Sequence, residues 1–208
     1  MSLAVNDLLD GLREAWPDAT YELNWDTPEE MLVATILAAQ ATDERINRVT
    51  PGLFAKYPDT QAFADADLAE LEVDLKSTGF FRRKAKTVKA VCAALVSDFG
   101  GQVPRTMAEL VTLPGVARKT ANVVLSCCFD IPSGVIVDTH VQRVARRMGL
   151  ASSRDAERIE AELMQAVPEE DWTFFGPAMV LHGRYTCKNK RPTCDSCPFD
   201  KACPKLGV

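Results

Sequence analysis

Four cysteines crowd the C-terminal end of the chain: Cys187, Cys194, Cys197 and Cys203, spaced C-x6-C-x2-C-x5-C over 17 residues. Four thiolates that close together need one charge-neutralising centre, and an all-cysteine set of four suits either zinc or an iron–sulfur cluster. Ligand count does not choose between them. Disulfides are disfavoured, because the N-terminus (MSLAVNDLLDGLREAW) has no basic stretch before an apolar core and no small-residue cleavage site. Cys92, Cys127 and Cys128 lie in apolar helical text instead and read as small buried hydrophobes.

A second constellation points to carbonyl chemistry. In Leu113-Pro-Gly-Val-Ala-Arg-Lys-Thr-Ala-Asn-Val-Val-Leu125 a short helix, Thr106–Leu110, leads into a Pro-Gly turn and a new helix begins at once. A helix start directs backbone N–H groups outward and gathers partial positive charge, so it binds phosphate without side chains. Lys119 stands in that first turn, where a further positive charge is disfavoured and an amine is easier to free as a nucleophile. Nineteen residues on, Asp138 in Val-Asp-Thr-His-Val reads as an N-cap. A carboxylate fixed by its cap and facing the Lys119 helix across a cleft would stabilise cations. Together the two could do imine chemistry on a sugar aldehyde carbon.

The elements that must hold these groups are helices. The chain has 208 residues, 47% hydrophobic and 25% charged, which excludes wholesale disorder and permits one large domain or two small ones. No apolar run approaches the ~20 residues that span a bilayer. Val5, Leu8, Leu9, Leu12 and Trp16 form an amphipathic stripe that Pro17 ends. Thr27-Pro-Glu-Glu30 reads as a capping box opening a helix from Pro28 to about Ala41, apolar almost all round and therefore central. Further helical patterns run over Glu44–Lys56, Ala66–Ser77, Lys84–Phe99, Val116–Phe129, Asp138–Met148, Asp155–Val167 and Glu169–Tyr185. Only Val135–Val137 looks extended, and three residues make no sheet. The fold class is all-α.

Charge is sorted along the sequence. Against 24 Lys and Arg stand 29 Asp and Glu, so a surface positive all over is excluded. Yet Arg82–Lys89 has five bases and no acid, and Thr139–Leu150 has Arg143, Arg146 and Arg147 with no acid. Gly183–Cys194, also free of acids, carries Arg184, Lys188, Lys190 and Arg191. Three such runs in an acidic chain point to an anionic partner on one face.

The segments LAAQATD, LPGVARKTANVVL, VDTHVQRV, LHGRYTC and the cysteine tail together resemble endonuclease III, the helix–hairpin–helix DNA glycosylase, in family order from about residue 22 to Cys203. The resemblance implies two all-α domains: a six-helix domain over 22–132 that holds the hairpin, and a domain of 1–21 with 133–208 that carries a [4Fe–4S] cluster on Cys187, Cys194, Cys197 and Cys203. DNA would lie between them. The implied reaction is excision of oxidised pyrimidines from duplex DNA with strand cleavage at the abasic site. Lys119 matches the nucleophile that forms a Schiff base at C1′, and Asp138 matches the family carboxylate.

Flipping the damaged nucleotide leaves a gap in the stack. Gln40 matches the residue that fills it, and Phe80 occupies the place of an apolar wedge. Arg83, Lys84, Gly115, Ala117, Thr120, His140, Arg184, Lys190 and Arg191 are the expected DNA contacts. The expected state is a monomer, cytoplasmic and beside the nucleoid if the chain is bacterial. Two departures stand out: Ala117 replaces the usual second glycine of the hairpin, and the net charge of −5 is acidic for a DNA binder. An adenine-mispair glycosylase is the nearer alternative, but it lacks the lysine and carries an acid in the early buried helix. A non-catalytic damage- or redox-sensing relative is the more distant one.

Overall fold

The structure is a computed structural model that describes residues 3–208. Among the described residues it holds eleven α-helices joined by short 3₁₀ and π turns, with no strand. The chain divides into two compact units, one of Glu22–Phe129 and one that joins the residues up to Tyr21 to Asp130–Val208.

In the first unit α2 (Pro28–Leu37) is the central helix, with Met31, Leu32, Val33, Ala34, Ile36 and Leu37 all buried. Its start is fixed as the sequence requires. The Thr27 hydroxyl accepts from the Glu30 N–H at 3.2 Å, and Glu30 accepts from the Asp26 N–H at 2.7 Å. The helix ends at Leu37 rather than near Ala41, because Gln40 takes left-handed backbone at φ 56°. Around it lie α3 (Asp43–Lys56), α4 (Thr60–Asp65), α5 (Leu68–Asp74), α6 (Phe81–Phe99), α7 (Met107–Leu110) and α8 (Arg118–Phe129). α8 packs on α2, and α4 packs on α6.

In the second unit α1 (Val5–Ala15) buries Leu8, Leu9 and Leu12 against α11 (Trp172–Leu181). α9 (Thr139–Arg147) and α10 (Ala156–Ala166) complete a core centred on Phe175, Val144, Ile159 and Leu163. Val135, Ile136 and Val137 form a buried extended segment leading into α9. After α11 the chain makes one π turn, His182–Thr186, and enters the cysteine loop.

Candidate active site and cysteine centre

The hairpin is a type II turn. The Val116 N–H donates to the Leu113 carbonyl at 3.1 Å, with Pro114 and Gly115 at its centre and Gly115 at φ 75°. Glycine is required there twice over, since a Cβ would lie 2.4 Å from Thr87 Cγ2. Leu113 and Val116 are buried and anchor the turn. α8 starts two residues later, so its first-turn N–H groups have no intrahelical partners. Lys119 is exposed on that first turn.

Beside the hairpin lies a cavity of about 320 Å³ whose walls include Thr35, Gln40, Phe80, Arg83, Gly115 and Thr120. Three of these residues have positive φ: Gln40 at 56°, Phe80 at 49° and Gly115 at 75°. For a residue with a Cβ this costs on the order of 1–3 kcal/mol, and such strain gathers where function requires it. Phe80 is 65% exposed, so it is no core aromatic. The Thr35 hydroxyl is buried without a partner, a polar atom in this wall that the sequence did not single out.

Asp138 caps α9 in the second unit. Both cap bonds land on Oδ1, from His140 N at 2.7 Å and Val141 N at 2.9 Å, leaving Oδ2 outside the cap. His140 Nδ1 lies 3.2 Å from an Arg143 guanidinium nitrogen, which ties the ring to its own helix.

All four C-terminal cysteines line one pocket, together with Arg147 and His182. Two nitrogen groups face the sulfurs. Arg147 Nη1 is 3.6 Å from Cys187 Sγ, and His182 Nε2 is 3.8 Å from Cys197 Sγ. Burial pulls His182 down to about 4, so the ring is neutral and can donate one N–H. Burial also pushes the Cys197 and Cys203 thiols up, and the neighbouring cysteines add to it. Ionising all four would therefore require a cationic partner. Among the described residues no three His, Cys, Asp or Glu side chains stand at the spacing a single metal ion demands.

Residues 33–169 match the HhH-GPD superfamily of base excision DNA repair proteins. Curated endonuclease III proteins align over nearly the whole chain. That of Synechocystis is 50% identical over 193 residues, 93% of this chain and 88% of the relative. That of Bacillus subtilis is 43% identical over 196 residues, 94% of this chain and 89% of the relative. The chain belongs to the endonuclease III family. A solved endonuclease III–DNA covalent intermediate superimposes with a TM-score of 0.91 at 42% identity, covering 97% of this chain and 94% of the other. The protein is a base excision repair enzyme of the DNA glycosylase/lyase class.

Within this endonuclease III fold, the residues singled out by sequence are distributed unevenly. Gln40, Phe80, Arg83, Gly115 and Thr120 meet at one cavity, and the four cysteines meet at another. Lys119 belongs to the unit Glu22–Phe129, and Asp138 to the other. Ala117 is exposed and is not among the positive-φ residues, so the demand for left-handed backbone falls on Gly115 alone. Arg83, Lys190 and Arg191 are exposed, and Arg184 is half-buried.

Lys84 corrects the expectation of a surface phosphate contact. It is 4% exposed, and its Nζ donates to the Thr78 carbonyl at 2.7 Å. The helical period explains this: Lys84, Val88, Val91, Cys92 and Leu95 share the buried face of α6. Burial lowers the Lys84 pKa below its ordinary value, and Arg45 adds to the effect. Other bases of the acid-free runs are also structural. Lys89 binds the Ala64 and Ala66 carbonyls, Arg143 those of Gly183 and Cys187, and Arg147 those of Lys188 and Asn189.

Proposed function

We propose that this enzyme excises oxidised pyrimidines from duplex DNA with Lys119 as nucleophile and then cuts the strand. In this reading the free amine of Lys119 attacks C1′ of the damaged nucleotide and the base departs with a proton. The C1′–O4′ bond then opens, O4′ takes a proton, and an iminium links Nζ to C1′. Loss of a C2′ proton expels the 3′ phosphate and nicks the strand by β-elimination. Asp138, its carboxylate fixed by the α9 cap, stabilises the cationic intermediates. Gln40 fills the gap that the flipped nucleotide leaves, Phe80 wedges the stack open, and Arg83, Arg184, Lys190 and Arg191 hold phosphates. The hairpin around Gly115, Ala117 and Thr120 and the side chain of His140 meet the DNA backbone.

Cys187, Cys194, Cys197 and Cys203 would hold a [4Fe–4S] cluster. Its part is to brace the loop between the first two ligands, KNKRPT, so that the loop's basic residues keep their places. The enzyme works as a monomer on duplexes that carry damaged bases or abasic sites.

The observation that carries the reading is Lys119, exposed on the first turn of the hairpin's second helix. A relative 42% identical to this chain has been captured as a covalent intermediate with DNA, the kind of species an amine nucleophile gives. The test is borohydride reduction on duplex containing an abasic site. The native enzyme should become linked, and Lys119→Gln should not, while its folding and iron content stay native. Persistent linkage in Lys119→Gln would move the nucleophile elsewhere. Asp138→Asn should keep duplex affinity and much of the cap but slow single-turnover excision. An unchanged rate would reduce Asp138 to a cap.

A further inference from the structure

The Phe80 loop has an unusual fastening. Gly79 and Phe80 are consecutive positive-φ residues, at 73° and 49°. Phe80 stands at the N-cap position of α6 with no side-chain cap. Its carbonyl accepts from the Arg83 and Lys84 N–H groups, so the turn is closed on its C-terminal side by backbone alone. On the N-terminal side the Thr78 hydroxyl donates to the Leu75 carbonyl at 2.8 Å. That leaves the Thr78 carbonyl, buried and immediately before the two left-handed residues. Lys84 reaches back across the turn to take it at 2.7 Å.

A lysine is an expensive choice for that task. Lys84 is buried, no carboxylate among the described residues is paired with it, and Arg45 is its charged neighbour. A carbonyl needs only one neutral donor. The ammonium group, however, makes a stronger, charge-assisted bond, and Lys84 lines the same cavity as Phe80 and Gln40.

We infer that Lys84 is a positioning residue for the wedge: its bond to the Thr78 carbonyl holds Gly79 and Phe80 in left-handed backbone and so keeps the Phe80 ring out of the core and presented to DNA. The inference rests on the proposed wedge role of Phe80. Lys84 touches no substrate in this account; it acts through Phe80.

The test uses the full-length, cluster-loaded enzyme in single turnover on two duplexes, one carrying thymine glycol and one a preformed abasic site. Lys84→Met keeps the stem and removes the donor. It should slow excision of thymine glycol about tenfold more than strand cleavage at the abasic site, the order expected when a group is misplaced by a fraction of an ångström. Phe80→Ala should show the same asymmetry. The double variant should be no slower than Phe80→Ala alone, because Lys84 has nothing left to position. Gly79→Ala supplies a second approach should Lys84→Met fold poorly. A Cβ there meets nothing within 4 Å, so only the positive φ is penalised, and the same asymmetry should appear.

Equal losses on both duplexes from Lys84→Met, or a further loss from it in the Phe80→Ala background, would overturn the positioning role. So would a lowered salt slope of binding, which would make Lys84 a phosphate contact. If Phe80→Ala slows excision selectively and Lys84→Met and Gly79→Ala do not, the inference fails and the wedge stands. If Phe80→Ala leaves both rates unchanged, the wedge reading and the inference fail together.

Discussion

Two loops present side chains outward in this molecule, and they are held by different means. The loop before α6 depends on backbone: two positive-φ residues, an uncapped helix start and one buried lysine on one carbonyl. The cysteine loop depends on side chains. Arg143 and Arg147 together bond the carbonyls of Gly183, Cys187, Lys188 and Asn189, and four cysteines converge below them. The first loop is lightly tied and presents a single large ring. The second is tied at many points and presents charges. The lesson is that an acid-free basic run is not uniformly a DNA-facing surface: Lys84 and Lys89 in one run, and Arg143 and Arg147 in another, are consumed in bonding backbone carbonyls.

The largest expected effect lies in the cysteine loop. Native protein prepared without air should contain about four irons and four sulfides per chain. Cys194→Ser should lose most of that iron, unfold the C-terminal loop in limited proteolysis and weaken duplex binding. Stoichiometric zinc in native material would remove the comparison's second half. Arg147→Met comes next. It strands the Lys188 and Asn189 carbonyls, so the unfolding free energy should fall by about 2–4 kcal/mol. A thermal melt with the cluster intact measures this, and a change near zero would show that the cysteines alone hold the loop.

Charge reversal sharpens the comparison on the outward side. Arg83→Glu, in the first turn of α6, and Lys190→Glu, in the cysteine loop, should each lower the salt slope of duplex binding by about one counterion without changing the melting temperature. Arg147→Glu should instead behave as a folding defect. The smallest effect concerns two thiols of the first unit, Cys92 buried and Cys128 half-buried. Burial pushes Cys92 and Cys128 up to about 12. The unfolded chain ionises near pH 8.5–9, so the native state binds more protons above that range. The stability these thiols contribute is therefore complete below about pH 9 and is lost as pH rises towards 12. The decline in melting temperature between pH 8 and 10.5 should be shallower in Cys92→Ala. Both thiols should resist alkylation in the native enzyme at pH 8.

Much of this was legible in the chain because the signals are local. The α1 stripe, the Thr27 capping box, the Asp138 cap and the Pro-Gly turn each need only a few adjacent residues. The cysteine spacing likewise announces a shared centre. What escaped was of three kinds. α4, Thr60–Asp65, is a turn and a half long, too short to show a period, and only its Asp59 cap marks it. The inward bases escaped because charge type does not reveal helical phase. Lys84 and Arg83 are neighbours in one unbroken basic run, yet one is buried and the other exposed. The phase of Val88, Val91 and Leu95 would have placed Lys84 inside, had it been extended back across the run. The Thr35 hydroxyl in the cavity wall left no signal at all, since a single threonine in an apolar helix reads as filler.

The central claim is that the amine that attacks the sugar belongs to Lys119. The most direct measurement is to reduce the native enzyme on abasic duplex with borohydride, digest both polymers and locate the deoxyribose remnant by tandem mass spectrometry. The account predicts a single adduct on Lys119, in the peptide that begins the hairpin's second helix. A remnant on the chain's N-terminal amine or on another lysine, with Lys119 unmodified, would contradict it.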